Sequence, residues 1–251
     1  MPNFKLTIAY DGKNFSGWQI QKNGERTVQG EIRNALMRIV RNPVTVIGAG
    51  RTDSGVHALG QVAHVQLQTR LDAKTLQAAL NANLPDDIAV LRVQKVPASF
   101  HAQYTAKTKI YRYTILNRKV RSVQNRGFYT HIPKTLNIAL MKAESKALCG
   151  RHDFSSFSAA DPCLKKHGRE QNKVRTIKRV SFSCRNGLIL INIEANGFLY
   201  KMVRNIIGTL LEIGRGKIKK GGLKMILASK TRRKAGPTAP AQGLCLLKVK
   251  Y

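Results

Sequence analysis

A glycine-rich segment at residues 48–58 carries two side chains suited to chemistry, Arg51 and Asp53. Three glycines within eight residues permit positive φ angles and close approach of another chain. A carboxylate in such a loop can serve as a nucleophile or a general base. Aspartates in loops more often cap turns, and from residue types alone that interpretation stays open. The spacing matches neither G-x-x-x-x-G-K nor G-x-G-x-x-G, so a phosphate-binding loop is not indicated.

The charge of the chain indicates a polyanionic partner. The 251 residues include 44 Lys and Arg but only 13 Asp and Glu, which gives a formal net charge of +31. Self-repulsion of that size opposes a compact fold unless a polyanion neutralises it, and nucleic acid is the natural candidate. A membrane surface is less well supported, because the basic residues are spread along the chain rather than gathered on one amphipathic helix. A coding bias towards lysine would explain part of the excess but not the scarcity of acids.

Metal and membrane signals are weak in this sequence. The cysteines show no C-x-x-C spacing, so neither a zinc site nor a disulfide framework is expected; they are Cys149, Cys163, Cys184 and Cys245. His57 and His64 do not have metal-ligand spacing, and we expect no metal and no small-molecule cofactor. Residues 1–13 do not resemble a leader peptide, and no apolar run approaches the length of a membrane span. A cytoplasmic protein is therefore expected.

The first half, residues 1–105, shows one α+β pattern. Alternating apolar residues are typical of strands, and apolar stripes behind a capping residue are typical of helices. Thr27 and Asp72 are the predicted N-caps of two helices. The predicted strands lie at 4–10, 44–47, 63–67 and 88–96, and the segment 48–58 is predicted as a loop.

The second half, residues 106–251, shows the same α+β pattern of predicted strands and helices. Arg185-Asn186-Gly187 predicts a hairpin turn between two strands. The strongest apolar stripe predicts a helix at 198–213. The other predicted elements are strands at 109–116, 177–184, 188–195 and 244–250, helices at 136–147 and 221–229, and loops at 118–134 and 158–174. Two similar α+β halves with a mainly antiparallel sheet are expected.

Residues 50–58 resemble the G-R-T-D-x-G-V-H-A motif of the TruA family of tRNA pseudouridine synthases. Other family-like blocks follow in the expected order over essentially the whole chain. They are Tyr10-Asp11-Gly12-x-x-Phe15-x-Gly17-Trp18-Gln19, Thr27-Val28-Gln29-Gly30, Phe100-His101-Ala102, Tyr111-Arg112-Tyr113, His152-Asp153-Phe154-Ser155-Ser156-Phe157, Ala195-Asn196-Gly197-Phe198-Leu199-Tyr200-x-Met202-Val203-Arg204-Asn205-Ile206 and Thr238-Ala239-Pro240-Ala241-x-Gly243-Leu244. So many ordered blocks are far more specific than one motif.

The resemblance implies a pseudouridine synthase-like fold with an active-site cleft between its halves. It implies isomerisation of uridine at tRNA positions 38–40, in the anticodon stem-loop, by a homodimer without a cofactor. Asp53 matches the catalytic aspartate of the family. The chemistry suits a carboxylate, because uracil must leave C1′ of the ribose, rotate and return through its C5.

The resemblance implies four further site residues, each with a plainer alternative. Tyr111 would contact the flipped base and help remove the C5 proton, or else be a core aromatic of its strand. Arg204 would pair with Asp53, or else be a solvated arginine. Leu244 would line the uracil pocket, or else be ordinary core. Arg51 would assist base flipping, or else contact phosphate.

Two segments depart from the family pattern. Gln103 stands where the family usually has an RNA-contacting arginine, and residues 161–169 are unusually basic. Both departures concern tRNA docking rather than the reaction.

Two other functional classes fit the sequence less well. A non-catalytic RNA-binding module or chaperone would explain the charge and the α+β halves equally well, but not a lone carboxylate in a glycine loop. A nuclease is not indicated, because the sequence offers no Asp, Glu and His cluster suited to a metal pair.

Overall fold

The computed structural model describes residues 1–160 and 172–251, and these form two compact units. The first unit contains Met1–Lys109 and Cys245–Tyr251, and the second contains Ile110–Leu244. The division expected from the sequence, 1–105 and 106–251, differs at both ends of the second unit. The difference is largest at the C-terminus, whose strand pairs within the first unit.

The described residues contain ten strands and five α-helices. The strands are β1 (Asn3–Tyr10), β2 (Ile47–Gly48), β3 (His57–Gln66), β4 (Ile88–Val96), β5 (Thr108–Leu116), β6 (Thr130–His131), β7 (Gly150–Asp153), β8 (Val174–Arg185), β9 (Leu188–Ala195) and β10 (Leu244–Lys250). The helices are α1 (Val28–Val40), α2 (Ala73–Asn83), α3 (Ile138–Ser145), α4 (Met202–Gly214) and α5 (Gly222–Ser229). Most of the described strand pairs are antiparallel, which confirms the predicted α+β class.

The sheet of the first unit has the order β4-β1-β3-β10, with β2 paired to β3. Leu6, in the middle of β1, lies opposite Ala63 on β3 and Val93 on β4, and all three side chains are buried. β10 is parallel to β3, with Cys245 opposite His57. Parallel pairing requires no local turn, so the position of β10 could not be deduced from neighbouring sequence.

Both predicted N-caps of the first unit are confirmed. The Oγ1 atom of Thr27 accepts a hydrogen bond from the Gly30 N–H at 3.3 Å. The Oδ1 atom of Asp72 accepts one from the Thr75 N–H at 2.7 Å, which also lowers the pKa of that carboxyl. The predicted strand at 44–47 is wrong for its first residues, because β2 consists of Ile47–Gly48 alone.

In the second unit, the strands follow the order β5-β9-β8-β7, and β6 pairs with β5. The hairpin between β8 and β9 is confirmed, since Asn186 and Gly187 have φ angles of 52° and 76°. Positive φ at both central residues is the requirement of a type I′ turn. The predicted loop at 118–134 contains β6, and residues 161–171 of the predicted loop at 158–174 lie outside the described residues, together with Cys163.

Helix α4 begins later than the apolar pattern predicted. Lys201 has a left-handed backbone with a φ of 56°, so the helix starts at Met202 rather than at residue 198. Leu199 is 4% exposed although it precedes the helix. Its burial outside the helix is the reason that the apolar pattern extended the prediction by one turn.

We predict that Gly60→Ala destabilises the protein through the contact between β3 and β10. A Cβ atom at Gly60 would lie 2.4 Å from the Leu247 carbonyl oxygen, which is backbone and cannot rotate away. Overpacking of this kind costs about 1–3 kcal/mol. Chemical denaturation should show the loss, whereas Gly127→Ala, whose added Cβ atom would have room on all sides to 4 Å, should not show it. Equal stability of the two variants would contradict the prediction.

Candidate active site

Asp53 lies in the connection between β2 and β3, residues 49–56, here called the Asp53 loop. Its side chain is half-buried, and Arg51 two residues earlier is exposed. After Asp53 the chain turns back sharply, with the Val56 N–H donating to the Asp53 carbonyl at 3.2 Å and Gly55 at a φ of 77°. Arg51 and Asp53 therefore differ in exposure although they lie two residues apart in the same loop.

The chain before Asp53 is fixed through Thr52. The Thr52 Oγ1 lies 2.8 Å from the hydroxyl of Tyr10, the last residue of β1, and both side chains are buried. The Thr52 carbonyl accepts from the Trp18 N–H at 3.1 Å. Burial raises the pKa of Tyr10, so its hydroxyl stays protonated and able to donate.

The chain after Asp53 is fixed through a single carbonyl. The Phe15 oxygen accepts from the Ser54 hydroxyl at 3.1 Å and from the Gly55 N–H at 3.4 Å. Asp53 is therefore held by hydrogen bonds to the residues on both of its sides, all made by the segment 10–18. A carboxylate on such a loop is placed before any substrate arrives.

Two glycines allow this segment to approach the loop so closely. Gly17 has a φ of 92°, and a Cβ atom there would lie 2.6 Å from the Thr52 carbonyl oxygen. A Cβ atom at Gly12 would lie 2.0 Å from the Val56 carbonyl oxygen. The contact is backbone against backbone on both sides of Asp53, and only glycine permits it.

The first residues of the Asp53 loop are held by different partners. The Ala49 N–H donates to the Val62 carbonyl at 2.7 Å, which continues the pairing next to β3. The Ala49 carbonyl accepts from the Lys109 ammonium at 2.6 Å. The Gly50 carbonyl accepts from the side-chain amide of Gln61, a fully buried residue, at 2.9 Å. These bonds orient the chain that leads into Arg51.

His57 supports the turn that directly follows β1. Its buried imidazole accepts the Gly12 N–H at Nδ1, at 3.0 Å. An oxygen of Asp11 lies 3.1 Å from the same nitrogen. Because Nδ1 accepts a hydrogen bond from the Gly12 N–H, it cannot at the same time donate one to the Asp11 carboxylate. We interpret His57 as a structural residue of this turn.

Tyr111 and Tyr113 lie on one face of β5 and are both buried. The Tyr111 ring meets the Phe198 ring edge to face, with centroids 5.1 Å apart. The Tyr113 hydroxyl bonds Thr130 Oγ1 at 2.7 Å and the Pro240 carbonyl at 2.9 Å. Burial raises the pKa of Tyr113 to about 12. The hydroxyl of Tyr113 therefore has a structural role in these two hydrogen bonds.

Arg204 is half-buried in the first turn of α4. Its Nε donates to the Ala239 carbonyl at 2.8 Å, and the Ala239 N–H donates to the Arg204 carbonyl at 3.1 Å. This reciprocal pair fixes the plane of the guanidinium. It also ties α4 to the segment that leads into Leu244, which is 5% exposed at the start of β10.

A buried asparagine next to Arg204, not among the residues predicted from the sequence, organises this part of the second unit. The Asn205 side chain is fully buried and donates to the Phe157 carbonyl at 2.7 Å. Its Oδ1 accepts from the Thr238 hydroxyl at 2.7 Å and from Arg232 Nη2 at 3.1 Å. The available signal was a polar residue on the apolar face of the strongest helix.

The predicted site residues thus fall in both units. Arg51 and Asp53 belong to the first unit, and Tyr111, Arg204 and Leu244 belong to the second. Among the described residues, no three His, Cys, Asp or Glu side chains converge as a metal ion would require. Over the same residues, no helix has the length and apolar character needed to span a membrane.

A family model described as tRNA pseudouridine synthase matches residues 6–105 and 145–251 of the chain, which include the Asp53 loop and α4. The chain belongs to this family. The matched segments include each of the five predicted site residues except Tyr111. The pattern of blocks along the sequence had implied the same family, and that prediction is confirmed.

Bacterial relatives resemble the chain over its full length. A tRNA pseudouridine synthase A of Thermoanaerobacter pseudethanolicus is 46% identical over 251 residues, covering 100% of both chains. The enzyme of the same name from Moorella thermoacetica is 44% identical over 252 residues, again covering 100% of both. That of Streptococcus thermophilus is 41% identical over 254 residues with the same coverage.

We predict that Gly17→Ala disturbs the Asp53 loop and destabilises the first unit. Gly24 provides a matched control, because it also has a positive φ, 75°, but no neighbour within 4 Å of an added Cβ. Both alanine variants share the backbone strain, and only the one at Gly17 also meets the Thr52 carbonyl. We expect a further loss of about 1–3 kcal/mol at Gly17 from this overpacking. Thermal melting of the two variants measures the difference, and identical melting would contradict the proposed contact.

Proposed function

We propose that this protein isomerises uridine to pseudouridine in tRNA and that Asp53 is its catalytic carboxylate. The observation that carries the proposal is the placement of Asp53 in a loop held by hydrogen bonds on both sides of it. Membership of an enzyme family that performs this isomerisation supports it. The alternative of a non-catalytic RNA-binding protein or chaperone has no comparable support.

The reaction rearranges one nucleotide without any net gain or loss of atoms. The bond between C1′ and N1 breaks, the uracil turns, a bond forms between C1′ and C5, and the proton of C5 leaves as N1 gains one. Three routes use an ionised carboxylate: attack on the ring, attack on C1′, or removal of a ribose proton. Each route requires Asp53 in its charged form beside the sugar and base.

The resemblance to the TruA family implies roles for three residues of the second unit. It implies that Arg204 is the partner of Asp53, and this role remains a proposal. Its guanidinium carries further N–H groups besides the Nε that donates to Ala239. Tyr111 contacts the uracil and assists removal of the C5 proton, and Leu244 supplies an apolar wall.

Arg51 assists extrusion of the uridine from its stack. Its side chain is exposed, and the backbone before it is held by Gln61 and Lys109. A base inside a helix cannot reach an enzyme carboxylate, so the nucleotide has to be flipped out first. An exposed arginine on a fixed loop is suited to occupying the vacated position.

The substrate uridines are proposed to be those at tRNA positions 38–40, in the anticodon stem-loop. We further propose that the protein acts as a homodimer on tRNA in the cytoplasm, as its resemblance to the TruA family implies. Sedimentation of the free protein and of its tRNA complex tests the dimer.

We predict that Asp53→Asn abolishes pseudouridine formation while tRNA affinity stays within a few-fold of the original. The amide keeps the shape of the side chain but can neither attack nor accept a proton as a carboxylate does. Tritium release from tRNA labelled at uracil C5 measures the reaction. Asp86→Asn removes the same charge at an exposed position and should remain active. Substantial turnover by the Asp53 variant would refute its assigned role.

We predict that Arg51→Ala and Lys224→Ala, two changes at exposed basic residues, act on different steps. Loss of a lysine that contacts phosphate should flatten the plot of log K against log salt by about 0.7 to 0.9. Loss of Arg51 should mainly slow the single-turnover reaction of bound tRNA, because base flipping is the step it assists. If Arg51→Ala changes only the salt slope, then Arg51 is an ordinary phosphate contact. Lys165, a similar candidate from the sequence, lies outside the described residues.

A further inference from the structure

The connection between β4 and β5 exposes the aromatic ring of Tyr104, which packs against a second ring. Tyr104 is 78% exposed and is the most exposed Phe, Tyr or Trp side chain of the described residues. One face of its ring stacks on His101, with centroids 4.2 Å apart and an interplanar angle of 23°. The large exposed fraction means that the other face is open to solvent.

From Tyr104, tilted and edge-to-face contacts between rings continue towards the interior of the first unit. His101 lies 4.7 Å from His64, and His64 meets Phe100 edge to face at 6.1 Å. Phe100 in turn lies 4.9 Å from Tyr251. We call these five rings the aromatic stack. Burial is the main cause that lowers the pKa of His64, and the neighbouring His101 lowers it further. The His64 imidazole is therefore uncharged at neutral pH.

Hydrogen bonds to the backbone hold the aromatic stack in place. The buried Asn3 donates through Nδ2 to the carbonyls of Pro97 at 3.2 Å and Phe100 at 2.9 Å. The Ala102 N–H donates to His64 Nδ1 at 3.1 Å, and the Tyr251 hydroxyl donates to the Ala102 carbonyl at 2.8 Å. Each of these bonds joins the turn to a distant part of the first unit.

The His101 ring is fixed by the residue that it supports. Its Nδ1 accepts from the N–H groups of Gln103 and Tyr104, both at 3.2 Å. The His101 carbonyl accepts from Thr105, at 3.0 Å from its N–H and 2.6 Å from its hydroxyl. Because the turn is closed by these bonds, binding to Tyr104 requires little further ordering of the backbone.

The charge around the aromatic stack favours an anionic partner. The Lys5 ammonium lies 5.8 Å from the centroid of Phe100 and 5.3 Å from that of Tyr251. The sequence contains no Asp or Glu anywhere between Asp87 and Glu144, and Tyr104 lies within that span. A phosphate backbone beside the turn would therefore meet no acidic residue of this segment.

We infer that Tyr104 is a stacking surface for an unpaired nucleobase of the RNA substrate. Proteins that bind single-stranded RNA combine basic surroundings with aromatic rings on which bases stack. Here the ring is exposed, supported on one face and held by a closed turn. The inference rests on the proposed tRNA substrate, but not on the chemistry assigned to Asp53.

Binding measurements with four proteins test the inference. Tyr104→Ala should weaken tRNA binding by roughly five- to 150-fold, the range for loss of one base–aromatic stack. Tyr104→Phe keeps the ring and should bind within about twofold of the original protein. Ser99→Ala, at an exposed position of the same connection, should bind like the original. The salt dependence of binding should be the same for all four, because no charge is altered.

Fluorescence gives a second, direct test. The chain has one tryptophan, Trp18, which is 1% exposed. Tyr104→Trp adds an exposed indole, and stacking of a base on it should quench its emission and shield it from acrylamide. Quenching that is absent at saturating tRNA would overturn the inference. Thermal melting of each variant shows whether the fold is retained.

The outcomes separate this inference from the proposed function. Normal affinity of Tyr104→Ala, with active original protein, overturns the stacking surface alone. Weakened affinity together with an original protein that forms no pseudouridine overturns the proposed function and supports the stacking surface. If Tyr104→Ala instead converts a dimer to a monomer and leaves tRNA affinity unchanged, the surface is an interface between copies, and the inference is wrong.

Discussion

The close contact between the segment 10–18 and the Asp53 loop is the constraint on which the proposed site depends. β1 and β3 are antiparallel, with Tyr10 opposite Ala58, so the chain leaves β1 at the same end of the sheet at which it enters β3. The two connecting segments therefore meet without any further element to bring them together. Glycines at positions 12 and 17 let their backbones approach until carbonyls and amides bond directly. A side chain at either position would separate the two segments and release Asp53.

In the second unit, the buried side chain of Asn205 holds distant parts of the chain together. Asn205 is bonded to Phe157, Thr238 and Arg232, so the segments around residues 157 and 232–238 converge on one amide. Gly208 makes the approach possible, since a Cβ atom there would lie 1.6 Å from the Pro237 carbonyl oxygen. A buried network whose members are all bonded specifies one arrangement, because any alternative leaves a polar group unsatisfied. Arg204 and Leu244 take their positions from this arrangement.

The charge of the protein has consequences beyond substrate attraction. A few acidic side chains are used in ion pairs, such as Asp87 with Arg26 at 2.7 Å and Glu212 with Arg215 at 2.6 Å. Partly exposed pairs of this kind contribute little stability and cannot offset a net charge of +31. An RNA that binds the folded chain stabilises it by mass action and by neutralising charge. Stacking of a base on Tyr104 would add a contribution to RNA binding that salt does not screen. It would act beside the electrostatic attraction between the phosphates and the basic residues.

The sequence by itself determined the features whose signals are local. The N-caps Thr27 and Asp72 and the hairpin at Asn186-Gly187 follow from short-range hydrogen bonding and φ preferences, and the family follows from ordered motifs. Tertiary structure alone decided that β10 pairs with β3 and that Lys201 delays the start of α4. It also decided which glycines and which buried asparagine hold the site residues. These features depend on contacts between residues far apart in the chain, and neither periodicity nor propensity encodes which distant backbone will approach a given glycine.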